Sequence, residues 1–290
     1  MKVKDLLGDS YTIPVETNQV IKAMLNKVAK ELFYDNHYSQ GYNQITREGI
    51  PYGNKVNEVF FLQQGEQASM FGALTNNIVG TSDNNSYNIQ ASCLFNEYEI
   101  KRAVRDDLDL QDVYDRMLKN LRTTLLIQRR DKFLNVLRIY LNNSSSIPYF
   151  ETEKLSDMLS IVVQGFQTPT TKFNPNKTKL QCFEEDIICL ANYTVLGKML
   201  NEHDTPFINW LRFNNIVEET LPTNVNGEVK NPDVILFDIR AFKILVNDRQ
   251  FSYFFNPNSL TYTITYTENI NIVTNRAANL CVIKEQIGGA

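Results

Sequence analysis

The chain has 290 residues, 43% hydrophobic and 21% charged, with a formal net charge of -4. That is the balance of a folded globular chain with a large core in one or two domains; it excludes a disordered polypeptide and argues against a dedicated nucleic-acid binder, which usually shows a basic balance or stripe. No apolar run reaches the roughly 18 residues of a membrane helix, and the opening MKVKDLLGDSYTIPVE lacks the continuous apolar core of a signal peptide, so cytoplasmic synthesis is expected.

Residues 1–14 read as an irregular arm. Thr17 is placed to cap a helix, because Val20, Ile21, Met24, Leu25, Val28 and Leu32 recur at helical spacing to about Phe33. After a loop to about Gly49 comes IPYGNKVNEVFFLQQGE. Its corner at Pro51 and Gly53 suits a turn, and Val56, Glu58, Phe60 and Leu62 then alternate with Asn57, Val59, Phe61 and Gln63. A strand with apolar groups on both faces needs cover on both. The flanks offer little, being polar from Tyr42 to Arg47 and rich in Gly, Asn, Ser and Thr from Gly65 to Tyr87. The cover expected is therefore another copy of the chain.

Ala91 to Phe95 predicts a short strand, and Asn96 an N-cap with Glu99 as its capping-box partner. From Leu110 to Leu141 apolar residues hold a helical period, which predicts a spine helix of about 45 Å. Its opposite side carries Arg116, Lys119, Arg122, Arg129 and Arg130, followed by Lys132 and Arg138, so one wet, basic side is expected. Asp112, Asp115 and Asp131 interleave with these cations, which favours a solvated, ion-paired helix over a nucleic-acid surface. Thr152 is expected to start the next helix, with Leu155, Met158, Leu159, Val162 and Val163 as its apolar stripe. A polar connection over 167–180, a buried strand over 186–192, a helix from Tyr193 to Leu200 and a short helix holding Trp210 suggest an α/β portion. The last third predicts strands at Asp233–Phe237, Phe251–Phe255, Leu260–Tyr266, Asn271–Thr274 and Leu280–Lys284. In the third of these, Tyr262, Ile264 and Tyr266 alternate with threonines.

The sequence marks no reactive site. His37 and His203 are the only histidines and neither has a second ligand nearby. Asp106, Asp107 and Asp109, like Glu184, Glu185 and Asp186, are better read as helix starts than as metal ligands. No phosphate-cradling loop, nucleophile elbow or HExxH occurs, and Cys93, Cys182, Cys189 and Cys281 are too scattered for a zinc site and read as buried thiols. No catalytic, cofactor-binding or metal-ligating residue is assigned.

The element order resembles the major capsid proteins of tailed phages with the Hong Kong-97 fold, and looks closest to small short-tailed phages. The corner Ile50, Pro51, Tyr52 and Gly53, followed by Lys55, Val56, Glu58 and Val59, is similar to the opening of that family's extended loop. The closing run, with Asp238, Phe242, Asn256, Pro257, Tyr262, Tyr266, Asn275 and Asn279, is similar to its ending. The resemblance implies an α+β fold: an arm and helix over 1–40, the extended loop over 41–92, a peripheral domain with the spine helix over 93–183, an axial domain over 184–232 and a β-rich segment over 233–290. It implies a non-enzymatic shell subunit, without cofactor, that forms pentamers and hexamers in the virion after assembly in the host cytoplasm. Pro51, Gly53, Lys55, Val56, Glu58, Phe60, Phe61 and Leu62 would be the loop's contacts to neighbours. Scaffolding protein in trans, a portal and decoration proteins would be partners, and packaged double-stranded DNA would be touched weakly and without specificity. An encapsulin-like nanocompartment shares the fold, and a soluble enzyme with an unrecognised site is the rival from another class.

Overall fold

The computed structural model describes residues 17–33, 45–49, 60–61, 78–79, 82–105, 110–143, 147–177, 179–191, 223–225 and 228–286. In chain order the elements are α1 (Thr17–Phe33), β1 (Thr46–Glu48), β2 (Phe60–Phe61), β3 (Ile78–Val79), β4 (Ser82–Asn96), α2 (Glu97–Arg105), α3 (Gln111–Asn143), β5 (Tyr149–Thr152) and α4 (Leu155–Gln167). A 3-10 turn (Glu184–Asp186) leads into β6 (Ile187–Ala191); then follow β7 (Thr223–Val225), β8 (Glu228–Lys230), β9 (Val234–Asp238), β10 (Phe242–Asn256), β11 (Thr261–Asn275) and β12 (Leu280–Glu285). Two four-stranded sheets have the orders β1-β10-β11-β4 and β5-β12-β9-β6, and β2-β3 and β7-β8 form separate two-stranded ladders. The chain divides into two compact units: Met1–His37, Tyr87–Asp131 and Val246–Ile270 make the first, and Tyr38–Ser86, Lys132–Leu245 and Asn271–Ala290 the second.

In the first unit, β4 and β11 show strict two-residue alternation. Ile89, Ala91, Cys93 and Phe95 are buried with Tyr262, Ile264, Tyr266, Glu268 and Ile270, while the residues alternating with them are more exposed. Tyr262 stacks on Phe95 at 5.1 Å and meets Phe255 at 4.7 Å, so three neighbouring strands share one aromatic layer. An amide ladder crosses the same strands: Asn247 donates to Asn269 at 3.2 Å, and Asn269 to Asn88 at 2.8 Å. The edge strand β4 is closed at Gln90, whose N–H donates to Gln128 Oε1 at 2.9 Å and whose carbonyl accepts from Gln128 Nε2 at 2.7 Å. A side-chain amide of α3 thus takes the place of a further strand there. The apolar stripe of α1 is buried as its spacing predicts. Lys27 sits over the Tyr114 ring of α3 at 5.0 Å, and Arg122 reaches Glu31 at 3.8 Å.

In the second unit, β12 runs parallel to β5 and antiparallel to β9, which is antiparallel to β6. β6 and β9 are buried at every position because each of their faces is covered. Leu236 faces the side of α4, in one cluster with Leu159, Val162, Phe166, Cys189 and Cys281. Phe237 faces an aromatic group formed with Phe133, Tyr140 and Phe242, whose ring centroids lie 5.2 to 6.3 Å apart. Gly165 lets α4 approach Phe173: a Cβ there would stand 2.5 Å from the ring.

Several expectations change at the level of elements. α3 has 33 residues, about 50 Å, and ends at Asn143, where the helical period gives out. The strand at Ala91–Phe95 is the end of the 15-residue β4. Phe251–Phe255 is the end of the 15-residue β10, and Leu260–Tyr266 and Asn271–Thr274 are one 15-residue β11. Thr152 does not begin a helix; it ends β5, paired with Glu285, and its hydroxyl bonds the backbone of Lys154 one residue before α4. Asn96 does cap α2, accepting the Tyr98 N–H at 2.8 Å, while Glu99 accepts from Arg116 at 3.2 Å. The arm, His37, Asp106, Asp107, Asp109, the helix from Tyr193 to Leu200, His203 and Trp210 lie outside the described residues.

Candidate assembly surfaces

Of the loop residues singled out above, Pro51, Gly53, Lys55, Val56, Glu58 and Leu62 lie outside the described residues. Phe60 and Phe61 pair antiparallel with Val79 and Ile78, and this ladder joins neither four-stranded sheet. Among the described residues, this two-stranded ladder falls between β1 and β4 in chain order.

The basic residues of α3 do not share one environment. Arg116 is exposed and donates to Glu99, Lys119 is exposed, and Arg122 is half-buried against Glu31. Arg130 pairs with its neighbour Asp131 at 3.2 Å. Arg129 corrects the sequence reading: it is buried, not on the wet side. Its Nε donates to Glu268 Oε2 at 2.9 Å and its Nη2 to both carboxylate oxygens at 2.7 and 2.6 Å. The partner on β11 is 139 residues away, so no local spacing could reveal it. Each of these four arginines has a carboxylate within 4 Å, which leaves the helix ion-paired and not a bare cationic rail.

Exposed apolar side chains occur in both units. In the first unit Leu94 is 69% exposed on the outer face of β4, and Phe254 is 66% exposed beside Tyr253 near the β10–β11 turn. Tyr98, Leu126 and Ile127 add to them; in the second unit Ile139, Ile161 and Phe183 are exposed. Sequence reasoning did not single out the exposed aromatic residues at this hairpin end. The signal was the aromatic stretch Phe251, Tyr253, Phe254 and Phe255, interrupted only by Ser252, the same two-faced pattern that marks 56–62.

The buried polar groups are structural knots. Asp238 is fully buried and accepts from Arg240 Nε at 2.9 and 3.0 Å and from the Arg240 N–H at 2.8 Å, while Arg240 Nη2 donates to the Gln181 carbonyl at 2.8 Å. This ties the β9–β10 turn to the segment before β6. Asp186 beside it has its carboxyl pushed up, first by burial and then by the Asp238 charge. All four cysteines are buried and free, and burial raises each thiol above its ordinary value, which disfavours the reactive thiolate. Among the described residues no group of His, Cys, Asp and Glu is arranged to hold a metal ion, and no helix is long and apolar enough to cross a membrane.

This architecture is that of tailed-phage capsid proteins with the Hong Kong-97 fold. A capsid chain of Staphylococcus phage Andhra superposes with a TM-score of 0.51 at 13% identity, covering 86% of this chain and 85% of that one. A chain from the structure of the head fiber and inner core protein of bacteriophage P68 gives 0.47 at 12% identity, covering 86% of each chain. A capsid chain of cyanophage P-SCSP1u gives 0.47 at 11% identity, covering 83% and 86%. No curated protein matches the sequence significantly. The chain belongs to the Phi29-like phage major capsid protein family, whose model matches residues 2–284. It is a phage capsid shell protein, a structural role that carries it into the virion.

Proposed function

We propose that the chain self-assembles into the pentamers and hexamers of an icosahedral head, of the small short-tailed kind, that encloses packaged double-stranded DNA. The family match over residues 2–284 is the observation that carries this reading. A heterologous contact that closes into rings of five and six builds a shell, whereas an isologous one stops at a dimer. The 50–66 loop supplies such a contact: Phe60, Phe61 and Leu62 lie against a neighbour, and Lys55 and Glu58 make ionic contacts to it. At about 25 cal/mol per Å2, a loop burying several hundred Å2 contributes several kcal/mol before ordering costs. The 41–92 segment acts as the extended loop, 93–183 as the peripheral domain, 184–232 as the axial domain near the five- and six-fold axes, and 233–290 as a strand-rich segment serving both. Assembly proceeds in the host cytoplasm, with a scaffolding protein in trans, a portal and decoration proteins as partners. The protein performs no catalysis. Its net charge of -4 and the carboxylate partners of the α3 arginines suit an inner wall along which DNA slides.

Electron microscopy of the chain co-produced with the scaffolding protein of its phage tests this. The expected result is closed icosahedral particles; discrete monomers or small oligomers under those conditions overturn the proposal.

A further inference from the structure

Glu268 takes part in more than one ion pair. Its Oε1 also lies 3.9 Å from Nε of Arg249 on β10, and the side chains of Arg249 and Glu268 are 12% and 2% exposed. Arg249 Nη1 in turn donates to the carbonyl of Phe33, the last residue of α1, at 3.0 Å. Beside it the Tyr266 hydroxyl donates to the Leu32 carbonyl at 3.4 Å, and the Phe33 ring meets the Tyr266 ring edge-on at 5.9 Å. The last carbonyls of a helix have no partner within it and carry partial negative charge, so a guanidinium there caps and stabilises the end. The sequence of α1 places only Lys30 in its last turn; the sheet supplies the second cation.

One carboxylate therefore faces two guanidinium groups. One belongs to the middle of α3, the other seats the end of α1, and all these residues lie in the first unit. We propose that Glu268 is a coupling residue: it holds Arg129 directly and orients Arg249, so that the last turn of α1 and the middle of α3 close and open together. In this buried setting the attraction between the carboxylate and a guanidinium 3.9 Å away is stronger than it would be in water. Displacement of the last turn of α1 is then felt at the middle of α3 in addition to the direct contacts that Lys27 and Glu31 make with Tyr114 and Arg122. The inference rests on the geometry of this unit and stands apart from the assembly reading.

Hydrogen exchange of the full-length unassembled subunit tests it, followed in peptides covering 28–33 and 126–132, with α4 (155–167) as the internal reference. Arg249→Met removes the cap on α1 and touches no residue of α3 named here. The expected result is faster exchange in both 28–33 and 126–132, about tenfold in the first, while α4 keeps its wild-type rate. Glu268→Gln, which keeps hydrogen bonding and loses charge, is expected to speed both peptides as well. If Arg249→Met does not fold, Arg249→Gln, which also removes the charge, is read in the same way. Acceleration confined to 28–33 in the Arg249 variant, equal acceleration of all three peptides, or no acceleration overturns the coupling.

Discussion

Replacing Arg129 by Met tests how dry the centre of the first unit is. The pair has three contacts of 2.6 to 2.9 Å, and its side chains are 11% and 2% exposed, so water cannot take over from the guanidinium. Removing one partner of a buried pair costs about 3–5 kcal/mol, because the other charge stays buried. The surroundings rank the two single variants. Arg129→Met leaves Glu268 with Arg249 at 3.9 Å and falls near 3 kcal/mol; Glu268→Leu leaves two guanidinium groups without their carboxylate and falls near 5 kcal/mol. The double variant Arg129→Met/Glu268→Leu keeps the net charge and replaces the pair with apolar bulk, so it is expected within about 1–2 kcal/mol of wild type, a coupling energy of several kcal/mol. Urea unfolding of the unassembled subunit at low concentration reads these differences from the midpoints at constant slope. Single variants that each cost less than about 1 kcal/mol and add in the double would refute the reasoning, since a solvated pair behaves that way.

Gly165→Ala is expected to destabilise by about 1–2 kcal/mol in the same assay, despite the better helix propensity of alanine, because the new methyl meets a buried Phe173 ring held by Phe150 and Phe166. Asp186→Asn is expected to stabilise at neutral pH. The carboxyl has a folded value above its unfolded one, so ionisation opposes folding; the advantage of Asn is largest above the raised value and disappears as pH falls below the ordinary aspartate range, which paired unfolding curves from neutral to acid pH check. Phe60→Ser combined with Phe61→Ser is expected to leave the unfolding midpoint of the free subunit unchanged while particle yield drops at least tenfold by sedimentation; an equal loss of subunit stability would place these rings in the subunit's own core.

How much of this was legible in the sequence depended on how local the cause was. α1 and α3 were readable because apolar residues such as Val20, Met24, Leu118 and Leu125 recur at the helical period and are buried as that period requires. The alternation of Tyr262, Ile264 and Tyr266 showed a half-buried strand for the same reason. β10 and β11 were read in fragments because Asp248, Arg249 and Gln250, and then Glu268 and Asn269, break the pattern; Glu268 belongs inside only because Arg129 arrives from another element. β5 was missed because four residues after a proline carry no periodicity, and its parallel partner β12 lies more than 120 residues on. The loop's two-faced pattern was visible, whereas the equal signal in Tyr253 and Phe254 passed as ordinary strand aromatics.

Cryo-electron microscopy of the mature heads, at a resolution that traces the chain, tests the account most directly. The 50–66 loop should cross onto an adjacent subunit, with Phe60, Phe61 and Leu62 covered by that neighbour. A loop packed back against its own protomer, or lying bare on the shell surface, would contradict it.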